Sequence, residues 1–135
     1  MYREQIDLCG VWRFQPDPGN EGERAGYAQP TCEIRLWREA RLPATFDRCH
    51  PGLEGYEGAA WFRRTLVVPD EWQNRRVLLR FLGANYHTRA WVNSTAVGSN
   101  QDGFLPFEFT VQDTLRYGEE NTIVVRVDNR RRQGE

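Results

Sequence analysis

The sequence predicts an all-β protein, an antiparallel β-sandwich, on three observations. Apolar and polar residues alternate in short runs, as in Phe107-Glu108-Phe109-Thr110-Val111-Gln112, the period of two that turns one strand face towards a core. Glycine and proline clusters separate these runs, as turns between strands require. No sustained helical period, internal repeat or low-complexity tract interrupts the pattern. Many short strands between such breaks suit two packed antiparallel sheets.

Taken in order, Val11-Trp12-Arg13-Phe14-Gln15 is a first strand with Trp12 and Phe14 on one face. Pro16-Asp17-Pro18-Gly19-Asn20 is expected to break it, since proline cannot donate to a ladder. Residues 21–34 are polar, with Gly22, Gly26 and Pro30, and read as a loop holding one short helical turn. A weaker strand over 37–42 ends at Pro43. Residues 44–58 then form a long irregular segment with Pro51, Gly52, Gly55 and Gly58, of a length that in compact domains is functional or well packed. A third strand over 60–68 closes at Pro69-Asp70, and a fourth over 76–82 puts Val77, Leu79 and Phe81 on one face. Residues 83–111 read as strand, turn, strand, glycine loop, strand. Asn93-Ser94 marks the reversal, because Asn tolerates the positive φ of a tight hairpin whereas the Cβ of Ser94 resists it. A turn region over 115–121 leads to a final strand over 122–127.

At 135 residues the chain is read as one domain, 1–135, with 129–135 a linker-like tail. Aromatics make up 13%, so Trp12, Trp61 and Trp91 are expected to anchor the core, with Trp72 capping the sandwich edge. A formal net charge of −1 gives no general attraction to nucleic acid or anionic lipid, and Arg130-Arg131-Arg132 reads as a solvated linker. No apolar run approaches the roughly 20 residues of a membrane span. No apolar region of a signal peptide follows Met1, so the cytoplasm is the expected compartment, with export left open if a signal has been removed. Cys9, Cys32 and Cys49 are odd in number and irregularly spaced, which reads as reduced thiols. Cys49-His50 lacks the convergent partners of a zinc site, so neither metal nor cofactor is expected.

Several motifs carry a family resemblance. They are Leu8-Cys9-Gly10-Val11-Trp12-Arg13-Phe14, Tyr56-Glu57-Gly58, Ala60-Trp61-Phe62-Arg63-Arg64-Thr65, Gly83-Ala84-Asn85-Tyr86, Ala90-Trp91-Val92-Asn93, Val97-Gly98, the run from Asp102 to Val111, and Val125-Arg126-Val127-Asp128-Asn129. In this order they resemble the N-terminal domain of glycoside hydrolase family 2, which includes β-galactosidases, β-glucuronidases and β-mannosidases. The resemblance narrows the sandwich to a jelly roll of the galactose-binding-domain-like kind. Departures are Ser94 and Asp102, where members often carry Gly, and Asn100, where they often carry His.

Glycosidases of this kind need two carboxyl groups flanking the scissile bond. Gly19-Asn20-Glu21 spells the tripeptide in which the family's acid/base glutamate occurs, but there it ends a strand of a (β/α)₈ barrel. Here it follows a proline-rich turn and is read as coincidence. Catalytic residues are therefore not assigned, and this stretch alone is not expected to be an enzyme, although its parent is expected to be a glycosidase. By the resemblance, the segment after the second strand approaches the barrel's active site, and Pro43-Ala44-Thr45-Phe46-Asp47 matches it. Thr45 leans towards the glucuronidase-like branch. Thr45 and Asp47 would offer partners to sugar hydroxyls, and Phe46 and Tyr56 apolar faces. Asn93-Ser94-Thr95 also fits a glycosylation sequon, although turn chemistry explains the Asn.

The expectation is thus a non-catalytic sugar-binding domain of a family 2 glycosidase acting on O-linked β-glycosides. It would pack on the remaining domains of its parent, shape one wall of the pocket and meet carbohydrate in the assembled enzyme, with self-association left open. The rivals are an independent lectin-like module, favoured by an open aromatic platform, and a purely structural assembly domain, favoured by a large exposed apolar patch.

Overall fold

The predicted alternation is realised as two antiparallel sheets. The computed structural model describes residues 6, 8, 10–29, 32, 34, 35, 37–42, 58–81, 87–101 and 107–128. Among these lie β1 (Gly10–Asp17), β2 (Arg38–Leu42), β3 (Ala59–Val67), β4 (Leu78–Phe81), β5 (His87–Val92), β6 (Thr95–Asn100), β7 (Phe107–Thr110) and β8 (Glu120–Asp128). A six-stranded sheet runs β2-β1-β3-β8-β5-β6, and a two-stranded sheet pairs β4 with β7. No α-helix occurs among the described residues; a 3-10 turn at Asp70–Trp72, absent from the sequence reading, follows Pro69.

The inner face of the large sheet carries Trp12 and Phe14 from β1, Ala60 and Phe62 from β3, Ala90 and Val92 from β5, and Ile123, Val125 and Val127 from β8. Val77, Leu79 and Val111 close this core from the opposite side, as the period-two reading of residues 77–81 and 107–111 requires. Phe14 and Phe62 meet tilted, with ring centroids 5.2 Å apart. Each such side chain, fully buried, contributes roughly 1.5–3 kcal/mol of transfer free energy.

The outer face is covered as well. The chain after β1 folds back over it: Ala28 and Trp37, with Tyr27, Cys32 and Ile34 beside them, pack on Trp61, Trp91 and Val124. Trp61 stacks on Trp91 at 5.1 Å, and Tyr27 meets Trp61 edge-on at 5.5 Å. Two covered faces explain why Ala59 to Arg63 are all buried and why β8 shows no clean alternation. The expected helical turn in this stretch is present as one α-type bond, Ala25 N to Glu21 O at 2.8 Å.

Two expectations need correction in detail. β1 does not break at Pro16: Pro16 pairs with Ala60 and Asp17 with Ala59. Pairing with β2 has already ended at Phe14, so Pro16 sits on a free edge, where a missing N–H costs no ladder bond. β3 ends at Val67, and Val68 makes an isolated parallel bridge with Tyr117.

The hairpin forms where the sequence places it. Val92 pairs with Thr95, and Asn93 (φ 50°) and Ser94 (φ 74°) both take the left-handed conformation. Ser94 is therefore held there by its surroundings, despite its Cβ.

Candidate functional site

One end of the large sheet gathers the connections. Asp17, Ala59, Asp128 and His87 lie in register across β1, β3, β8 and β5, with Thr88 opposite Asn100 on β6. β3 begins at this rim with Ala59, β5 begins there with His87, and β6 ends there at Asn100. β2 ends at Leu42, which pairs with Gly10 at the far end of the sheet. Thr45, Phe46, Asp47 and Tyr56 all fall within 43–57 and lie outside the described residues.

Beneath the rim is a polar cluster that the sequence reading missed. The Asp17 carboxylate accepts the backbone N–H of Glu21 at 2.8 Å, that of Gly22 at 2.8 Å, and Trp61 Nε1–H at 3.0 Å. Asn20 takes φ 54°, and its Oδ1 accepts from Arg126 Nη2 at 2.6 Å. Arg126 also pairs with Asp128 at 3.4 Å, and Arg89 pairs with Glu23 while lying over the Trp91 ring at 5.2 Å. Gly19-Asn20-Glu21 is thus a packing device. Asn20 supplies the positive φ and the acceptor for Arg126, and Glu21 supplies a backbone donor to a buried carboxylate. The one available sequence signal was Asp17 itself, an acid flanked by two prolines and followed by the small residues that close a carboxylate-capped turn.

Aromatic platforms were the other candidate for sugar recognition. Trp12, Trp61 and Trp91 are buried as expected, and Trp12 Nε1–H donates to the Leu8 carbonyl at 2.8 Å. Trp72 is half-buried against the core edge. At the rim end of the small sheet, Phe81 and Phe107 stack at 4.8 Å and are only half-buried, with Phe109 beside them. Gly98 makes room for that cluster, since a Cβ there would lie 2.5 Å from Phe109 Cδ1. No three His, Cys, Asp or Glu side chains among the described residues converge as metal ligands would.

At the opposite end, Asn93 and Asn121 clasp the hairpin to β8. Asn93 Nδ2–H donates to the Thr114 carbonyl and to Asn121 Oδ1, both at 2.8 Å, and Asn93 Oδ1 accepts Thr122 N–H at 3.0 Å. The nitrogen a glycan would occupy is therefore engaged. Two tyrosines elsewhere are held neutral. Burial raises Tyr27, helped by Asp17, Cys32 and Glu21, and burial then Asp113 raise Tyr117, whose hydroxyl donates to the Gln112 carbonyl at 2.8 Å.

With this geometry in place, similarity to known proteins can be weighed. Residues 18–134 match the family described as glycosyl hydrolases family 2, sugar binding domain. A β-glucuronidase of Paenibacillus borealis is 34% identical over 132 residues, covering 96% of this chain and 22% of that protein. A β-galactosidase of Thermoanaerobacter pseudethanolicus is 27% identical over 131 residues, covering 96% of this chain and 17% of that protein. The Ruminococcus gnavus β-glucuronidase solved with D-glucaro-d-lactam superposes with a TM-score of 0.84 at 25% identity, over 98% of this chain and 24% of that one. The chain spans about a fifth of the length of the curated relatives it matches, 22% of the first.

Proposed function

We infer a role from a plain premise: the chain belongs to the sugar-binding domain family of the family 2 glycosyl hydrolases. Its reading is that of the non-catalytic N-terminal domain of a β-glycosidase. The domain packs on the remaining domains of that protein and forms one wall of the sugar pocket, and the substrate class is β-glucuronide-like. The observation that carries this is the match over residues 18–134 to a domain that occupies only about a fifth of its relatives, 22% of one β-glucuronidase. The glucuronide preference rests on that relative and on Thr45, and the wall is assigned to the segment holding Thr45, Phe46, Asp47 and Tyr56.

The geometry supports a non-catalytic role. The tripeptide that suggested an acid/base glutamate is absorbed into the Asp17–Arg126 cluster, and Asp17 itself accepts three N–H donors. A general acid or nucleophile needs an accessible carboxyl with a second one facing it across the bond. The lectin-like alternative is disfavoured by Trp61 and Trp91, which lie under the chain's own Tyr27, Ala28 and Trp37.

Two measurements test the reading. The 135-residue chain is expected to turn over neither nitrophenyl β-glucuronide nor nitrophenyl β-galactoside; turnover abolished by Glu21→Gln would overturn it. In the full-length protein, Thr45→Ala and Asp47→Asn are expected to raise KM for the glucuronide with little change in thermal midpoint. Unchanged kinetics in both variants would remove the pocket-wall role.

A further inference from the structure

We draw no further inference here: the strongest candidate, the half-buried Phe81–Phe107 stack with Phe109 beside it at the rim end of the small sheet, carries nothing because nothing in the structure shows what covers it.

Discussion

Asn121 should be the most demanding polar position in the chain. Its side chain is fully buried and makes four hydrogen bonds: Oδ1 accepts from Asn93 Nδ2 and Arg116 N, both at 2.8 Å, and Nδ2 donates to the carbonyls of Arg116 at 2.8 Å and Glu119 at 3.0 Å. Truncation to Ala removes all four and leaves their partners facing a void. At about 1 kcal/mol net per bond the loss is about 4 kcal/mol, which for a domain of this size lowers Tm by on the order of 15 °C. Asn121→Asp separates hydrogen-bond polarity from shape. It keeps the outline but sets an oxygen against the carbonyls of Arg116 and Glu119, so at neutral pH it should cost at least as much as Ala. The pH dependence has a definite sign. Burial and the two carbonyls favour the protonated acid, so the folded pKa of the variant carboxyl lies above its unfolded value. The variant is then most stable below the carboxylate range and loses stability as pH rises through the folded pKa. Thermal melts of parent, Asn121→Ala and Asn121→Asp across acid to neutral pH measure this. An Asn121→Asp protein within about 0.5 kcal/mol of the parent at neutral pH, the scatter of ordinary surface changes, would refute the reasoning.

Other outcomes follow from the same structure. Gly22→Ala should destabilise by about 1–3 kcal/mol, as overpacking does, because its Cβ would lie 2.4 Å from Trp61 Nε1 and 2.8 Å from Asp17 Oδ2; a melt at the parent's midpoint would show that residues 18–37 lift off the sheet without cost. Trp91→Ala should cost roughly 3–5 kcal/mol, since Trp91 is buried and stacks on Trp61, and an unchanged midpoint would mark it as a surface platform. Stability should also fall as pH climbs past 10.0, where the unfolded chain releases the Tyr27 and Tyr117 protons that the folded chain retains. Tyrosinate absorbance in native and denatured protein checks this: coincident titration of all five tyrosines would contradict it.

What the sequence made legible was mostly local. Period-two alternation located Trp12 and Phe14, the Val77–Leu79–Phe81 face, and the strand at residues 107–110, because a strand's two faces are written directly into neighbouring residues. Turn chemistry located the Asn93-Ser94 reversal for the same reason. The long-range layer was not legible. Residues 18–37 are rich in glycine and charge and read as a loop, yet Tyr27 and Trp37 close the outer face over Trp61 and Trp91, far along the chain. Nothing local says that Asp17, Arg63 and Arg126 are buried, since charged residues are expected outside unless a partner is known. The candidate sugar-facing residues Thr45, Phe46, Asp47 and Tyr56 came from family motif and loop chemistry, not from any periodicity that would fix their positions.

That unseen layer bears on function. A six-stranded sheet with free tryptophans would have offered a flat aromatic face, the surface an autonomous sugar-binding module uses. Here the chain covers that face with its own residues, and the Asp17 carboxylate ties the cover down through Gly22 and Trp61. At the rim, the Phe81–Phe107 stack is only half-buried. Where the β1–β3 ladder ends, Arg63 Nε–H is buried with no partner among the described residues. Trp61 links the cover to Arg63 physically: it accepts the cover on one side, and two residues along the same strand Arg63 reaches the carbonyls of Tyr27 and Gln29 on the cover's underside. Loosening the cover should therefore disturb Arg63 as well as the stability, so Gly22→Ala is expected to shift the Arg63 Hε resonance. An unchanged resonance in a destabilised Gly22→Ala protein would show that the cover and Arg63 are independent.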